Sequence, residues 1–396
     1  MFKSLAGTFI TRFSVAGLNF LLMLMTARML GADGTGAVNM LKANLALMVL
    51  IAGFSGVSAL GYLASRYPVA FLYRAAMIGN ALLSIVAGIL LWFYHPGITS
   101  EWLLLCLPLL TFLMGTVQIH QALLLGSGEL SAQNTTGLLM TAMQCLLLWL
   151  WLSPDTLTPA DDFSMVLGGG YVAAILFSAF YLFQVRSAGK VSDFQTASKA
   201  CYSYGFQAQM ANLIHFFNYR LSLYFLEANA SVFDVGVYSL GVSLAESIWM
   251  ISQSIALVQF MRIARSDHPS LLRKGTLQWA WRSLGLAAIA GLVLLLIPPE
   301  GFTLVFSQDF AEASVVIRYL MPGILAQSFS TLLAHYFAGS GKYWINMGGS
   351  ITGLIVNIAG GIFLVPMMGW QGAAITASAA YVLILLWQVY FFWKNK

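Results

Sequence analysis

Residues 123–139 read LLLGSGELSAQNTTGLL, and residues 336–355 read YFAGSGKYWINMGGSITGLI. In each, a Gly-Ser-Gly turn lies between two apolar stretches of about 20 residues, the length a helix needs to cross a bilayer core roughly 30 Å thick. Outward from these turns, similar stretches fill the chain: 5–27, 36–64, 75–94, 101–125, 133–152, 163–185, 201–227, 232–261, 275–297, 313–338, 345–365 and 371–392. The first turn follows the fourth stretch and the second follows the tenth, equivalent places in the two halves of a twelve-span chain.

Composition supports the same reading. Of 396 residues, 59% are hydrophobic and 8% charged, and the mean hydropathy is +0.81, which leaves too little polar surface to coat a soluble globule. Lipid offers the backbone no hydrogen-bond partners, so continuous apolar runs are read as helices; a membrane barrel would show ten-residue alternation instead. The fold class expected is an all-α polytopic membrane protein with twelve transmembrane helices. The first stretch is too long for a cleavable signal, and the second follows within ten residues with no small-residue cleavage site between them.

Basic residues in short loops set the orientation. Lys3, Arg66, Arg74, Arg186, Lys190, Lys199, Arg262, Arg265, Arg273, Lys274, Lys342, Lys394 and Lys396 all fall on one side. The other side holds most of the acids, among them Asp33, Glu101, Asp161, Asp234, Glu300, Asp309 and Glu312. Both termini are therefore expected in the cytoplasm. Topology alone accounts for the net charge of +5, so no nucleic-acid partner is implied.

Further matches point to an internal repeat. Gly34-Thr-Gly36-Ala-Val opens the second stretch and Asp234-Val-Gly236-Val-Tyr opens the eighth. The polar stretch Val185–Lys199 falls after six spans. The expected organisation is an N-terminal lobe over 1–186, a cytoplasmic linker over 187–200 and a C-terminal lobe over 201–396. Six spans return the chain to its starting side, so duplicated units would be parallel, related by a pseudo-twofold axis along the membrane normal around a central cavity.

Charge inside a span costs at least roughly 2.5–3.5 kcal/mol and normally faces the bundle interior or water. Four such residues occur: Arg12, Lys42, Arg220 and Glu246. Their neighbours form stripes at helical spacing. Arg12, Asn19 and Thr26 recur every seven residues; Gln209 and Arg220, eleven apart, share one side of the seventh stretch, with Asn212, His215, Tyr219 and Ser222 carrying the polar surface around; Ser239, Ser243, Glu246 and Gln253 follow one face of the eighth. The second stretch carries Asn39 and Lys42 before its face turns to Gly53 and Gly56. The candidate cavity is therefore lined by Arg12, Asn19, Lys42, Asn212, His215, Tyr219, Arg220, Ser239, Ser243 and Gln253, with Glu246 as a possible coupling acid.

Structural readings stand beside these. Arg12 and Lys42 can snorkel to an interface, Glu246 can neutralise an arginine, and Asn346, Ser350 and Asn357 can hydrogen-bond between helices. Gly168-Gly169-Gly170 and Gly360-Gly361 suit close helix contact, and Pro108 and Pro322 suit kinks. Cys106, Cys145 and Cys201 lack metal-ligand spacing, and the five histidines form no zinc pattern. Neither a metal nor a cofactor is expected. With no nucleophile elbow, no P-loop and no connection longer than about 15 residues, an enzyme is not expected either.

Thr26-Ala-Arg28-Met-Leu30-Gly31-Ala-Asp-Gly34-Thr-Gly36 resembles the turn after the first helix of bacterial polysaccharide flippases. These belong to the multidrug/oligosaccharidyl-lipid/polysaccharide exporter (MOP) superfamily. Residues 218–246, NYRLSLYFLEANASVFDVGVYSLGVSLAE, and 337–375, FAGSGKYWINMGGSITGLIVNIAGGIFLVPMMGWQGAAI, are similar to its aromatic-Arg, Gly-Lys, Gly-x-x-x-Asn and Pro-x-x-Gly segments. The resemblance, of the O-antigen flippase type, implies two six-helix lobes in a bacterial inner membrane. It implies a polyprenyl-diphosphate-linked glycan moved to the outer leaflet, the bilayer, a polysaccharide polymerase and chain-length machinery as partners, and a monomer. Ser222 departs from the acid often found two residues after the arginine, which leaves Glu246 as the intramembrane carboxylate. Two other readings stay open: a cation-coupled multidrug exporter of the same superfamily, whose cavity should be rich in acids, and a membrane-embedded glycosyltransferase or polymerase.

Overall fold

A computed structural model of the chain describes residues 2–94, 100–151, 158–184, 193–264 and 272–394. Its regular structure among these residues is helical, with no strand. The elements are α1 (Phe2–Ala52), a 3-10 turn (Gly53–Ser55), α2 (Val57–Leu63), α3 (Val69–Tyr94), α4 (Glu101–Gly126), α5 (Leu130–Trp151), α6 (Pro159–Leu182) and α7 (Phe194–Asn229). Then follow α8 (Val232–Ala264), α9 (Arg273–Leu295), α10 (Pro299–Val305), α11 (Ala313–Gly339), α12 (Tyr343–Phe363), α13 (Val365–Met368) and α14 (Trp370–Lys394).

Among the described residues, each expected span falls mostly on helix. Nine helical stretches among the described residues are long and apolar enough to cross a membrane, and one of them, Phe13–Ser55, holds most of the first two spans. α5 and α7 fall outside that set. Asn134, Thr135, Thr136 and Gln144 dilute α5, and the polar stripe dilutes α7.

Two departures have identifiable causes. The first two spans meet at a bend rather than a loop, because Gly31 takes a left-handed conformation (φ 64°) inside α1. The next amide, Ala32 N–H, donates to Asp309 at 3.0 Å, so a carboxylate 277 residues away fixes the bend. The second span, expected unbroken over 36–64, is interrupted at Gly53–Ser55. There Gln209 of α7 donates to the Leu50 carbonyl at 2.7 Å and accepts from Ser58 at 2.8 Å. It thereby satisfies a carbonyl at the end of α1 that the helical ladder leaves free.

The two Gly-Ser-Gly turns have one geometry. Gly128 (φ 87°) and Gly341 (φ 74°) each follow a helix C-terminus. The amides of Gly128 and Glu129 reach Leu125 and Leu124 at 3.1 and 2.9 Å, and those of Gly341 and Lys342 reach Ala338 and Phe337 at 3.1 and 2.8 Å. Both are Schellman caps, whose positive φ favours glycine.

The chain divides into two compact units, Met1–Leu30 with Ala37–Leu213, and Gly31–Gly36 with Ile214–Lys396. The boundary between these units falls within α7, so α7 contributes to both. In the first, Leu41, Leu45 and Met48 of α1 pack with Leu107 of α4, Leu148 of α5 and Phe163 of α6. A second apolar cluster joins Leu60 and Leu63 of α2 to Leu72 of α3, Ile119 and Leu123 of α4 and Cys201 of α7. In the second unit α11 is the central helix, packing along α8, α9 and α14. Its Phe329, Leu332, Leu333 and Phe337 meet Ala256, Ala280, Ile345 and Phe392. The amide of Gly323, just after Pro322, donates to Ser378 of α14 at 2.8 Å. A neighbouring side chain thus serves the backbone where proline breaks the ladder. Asn357 likewise bridges to the Asn218 carbonyl at 3.2 Å, a helix-to-helix bond of the kind expected for that residue.

The charge pattern predicts a testable orientation. A cysteine at Asp161, in a background lacking the native cysteines, is expected to react with an impermeant maleimide applied from outside the cell. Labelling only in inverted vesicles would reverse the topology. Asp309 is a poor second position because replacing it also removes the brace of the Gly31 bend.

Candidate functional site

The intramembrane acid and one of the cations are partners. Arg220 on α7 and Glu246 on α8 approach side by side, Nη1 to Oε1 at 3.4 Å and Nη2 to Oε2 at 3.5 Å. Arg220 Nη1 also lies 3.4 Å from the Tyr219 carbonyl. These distances exceed the roughly 2.7–2.9 Å of a tight charge-assisted bond. The pair is electrostatic and loose, and the side chains remain 37% and 19% exposed. A guanidinium has five N–H donors, so Arg220 keeps donors beyond those facing the carboxylate.

Beside this pair, on the side of the Gly341 turn, the second unit holds a cavity of about 300 Å³ bordered by α7, α8, α11, α12 and α14. His215, Tyr219 and Gln253, three of the expected site residues, line it. Tyr219 stacks on Trp249 with centroids 5.2 Å apart and rings 11° from parallel. Gln327 Nε2 donates to the Tyr219 hydroxyl at 2.7 Å, and Trp249 Nε1 donates to Thr331 at 2.8 Å.

The remaining candidates are placed elsewhere. Ser239 and Ser243 donate to carbonyls of their own helix, those of Gly236 at 3.0 Å and Ser239 at 2.8 Å. Asn212 belongs to the first unit, where its amide donates to Ser58 and to Gln209, each at 3.2 Å. Asn19 is exposed on α1 of the same unit. Lys42, also there, places its ammonium 4.6 Å from the centre of the Phe163 ring, a cation–π contact. Among the described residues no carboxylate pairs with Lys42. The side chain of Arg12 lies outside those described. The stripe on α7 is thus divided, Gln209 and Asn212 serving the first unit and His215, Tyr219 and Arg220 the second.

Gln327 and His335 are not among the residues expected from sequence, although Gln327, Thr331 and His335 recur every four residues along α11. That stripe is a usable signal.

No protein-family model matches the chain, and no curated protein matches it in sequence. Solved structures do match in fold. An inward-facing multidrug resistance MATE family transporter of the MOP superfamily aligns with TM-score 0.70 and 13% identity, over 98% of this chain and 97% of that one. The lipid II flippase MurJ, in an inward closed conformation, aligns with TM-score 0.69 and 12% identity, over 99% of this chain and 87% of that one. The MATE multidrug transporter DinF-BH aligns with TM-score 0.70 and 15% identity, over 98% of this chain and 94% of that one. The fold is that of the MOP-superfamily transporters.

Proposed function

We propose that the chain is a flippase that carries polyprenyl-diphosphate-linked oligosaccharide from the cytoplasmic to the outer leaflet by alternating access, for cell-surface polysaccharide biosynthesis. Residues 1–186 and 201–396 would act as the alternating lobes. A fold shared with both a lipid II flippase and multidrug transporters does not choose the substrate. The observation that carries the choice is the engagement of Glu246 by Arg220. An exporter of organic cations needs an available acid in its cavity, and the intramembrane acid of this chain already faces a guanidinium. Lys42, without a carboxylate partner among the described residues, and the spare donors of Arg220 favour an anionic headgroup instead. The polyprenyl tail can stay in hydrocarbon while the protein shelters only the diphosphate and glycan.

The reading is tested in proteoliposomes. A labelled polyprenyl-diphosphate oligosaccharide is expected to move between leaflets, measured by its exposure to an external glycosidase, while an organic cation dye is not extruded. Dye efflux without glycolipid movement would make the chain a drug exporter.

A further inference from the structure

We propose that the cavity among α7, α8, α11, α12 and α14 is a subsite for a neutral, unphosphorylated sugar ring. This rests on the oligosaccharide reading and deepens it, because it separates the place of the glycan from the place of the diphosphate. The first ground is charge. The cavity is lined by amides, hydroxyls, imidazoles and aromatic rings, and among the described residues no Asp, Glu, Lys or Arg lines it. Neither a phosphate nor an organic cation finds a permanent counter-charge there.

The second ground is a set of fixed acceptors. Gln327 is only 7% exposed, and its Nε2 is held by the Tyr219 hydroxyl. Its Oε1 is buried without any hydrogen-bond partner. A buried carbonyl oxygen left unpaired costs about 1–3 kcal/mol, so the site gains when a ligand hydroxyl donates to it. His335 Nδ1 lies 2.8 Å from the Thr331 carbonyl. A carbonyl can only accept, so Nδ1 carries a proton, and in the neutral ring Nε2 is a second acceptor. Gln253, on the rim, offers both donor and acceptor groups.

The third ground is shape. Tyr219 and Trp249 both line the cavity and give it an aromatic surface, the kind of partner that the C–H face of a pyranose takes while its hydroxyls turn to the amides. A volume of about 300 Å³ sits at the lower end of small-molecule pockets, roughly 300–1,000 Å³, and suits one or two rings rather than a whole repeat unit.

The test uses the purified full-length protein in nanodiscs. Saturation-transfer NMR is run with methyl glycosides of glucose, galactose and N-acetylglucosamine, and with methyl glucuronide and inorganic pyrophosphate as charged probes. At least one neutral glycoside is expected to give signal, with the charged probes weaker. Gln327→Met keeps volume and removes the acceptor, and is expected to weaken the signal about two- to tenfold, the worth of one hydrogen bond. Gln253→Leu, at an exposed position, is the second variant should Gln327→Met not fold, and is expected to weaken the signal likewise. No neutral glycoside signal, or signal unchanged in the folded variants, overturns the subsite even where glycolipid is flipped. Glycoside binding that the variants weaken, in a protein that flips no glycolipid, sinks the flippase reading and leaves the subsite standing.

Discussion

Gly236→Ala is expected to remove most of the folded protein from the membrane, although it adds a single methyl group. Gly236 opens α8 and Gly36 lies in the segment after the Gly31 bend, and both belong to the second compact unit. A Cβ on Gly236 would overlap the carbonyl oxygen of Ala32, and one on Gly36 would overlap that of Val232. Each would also come within about 3 Å of the other glycine's amide nitrogen, at 3.1 and 3.0 Å. Overpacking against side chains costs roughly 1–3 kcal/mol because rotamers can yield. Here both obstacles are backbone, and no rotamer relieves them. The expected loss is at or above about 3 kcal/mol, a large share of the roughly 5–15 kcal/mol that holds a domain together. Gly285→Ala in α9 is the control: a Cβ there meets nothing within 4 Å, and alanine is the better helix former by up to about 1 kcal/mol. Thermal unfolding in detergent should show the first variant falling and the second unchanged or rising. Equal melting temperatures for Gly236→Ala and the parent would mean the two segments do not approach this closely.

This contact also shows what the sequence could disclose. Gly36 and Gly236 are recognisable as equivalents in the two halves, and so are Gly128 and Gly341, because each pair is a local pattern with local geometry behind it. The twelve spans are readable for the same reason: lipid acts on every 20-residue window independently. That Gly36 and Gly236 face each other is a tertiary fact and leaves no trace in the string. The same holds for Asp309, legible only as an outer-side acid, which braces the Gly31 bend. The break at Gly53 is set by Gln209 of a helix more than 140 residues away, so hydropathy runs through it. Among the site residues, stripe periodicity brings His215, Tyr219 and Gln253 to one cavity, but periodicity names a face of a helix and not its neighbour. It cannot tell that α7 serves two units, or that Ser239 and Ser243 spend their hydroxyls on their own helix.

Removing both members of the Arg220–Glu246 pair should restore folding and leave transport dead. Arg220→Ala strands a carboxylate among apolar helices, and Glu246→Ala strands a guanidinium. Each single variant is therefore expected to lower the melting temperature and the membrane abundance. The double variant leaves neither charge behind, and an interaction energy of about 0.5–3 kcal/mol is expected from the cycle, toward the lower end because Arg220 is 37% exposed. Strict additivity would show that the two groups do not act on each other. Transport separates the structural charge from the functional one. If Arg220 also donates to the diphosphate, flipping stays at least about tenfold down in the double variant, the effect of about 1.4 kcal/mol in a transition state. Arg220→Lys should recover only part, since an ammonium keeps the charge and loses the paired donors. A double variant that flips glycolipid at the parental rate would reduce Arg220 to a structural counter-charge. Glu246 is examined in the same vesicles with and without an imposed proton gradient. As a coupling acid it must release Arg220 when it takes a proton, so Glu246→Gln should erase a gradient response that the parent shows. A parent indifferent to the gradient leaves Glu246 with one role, holding Arg220 in place between encounters with the substrate.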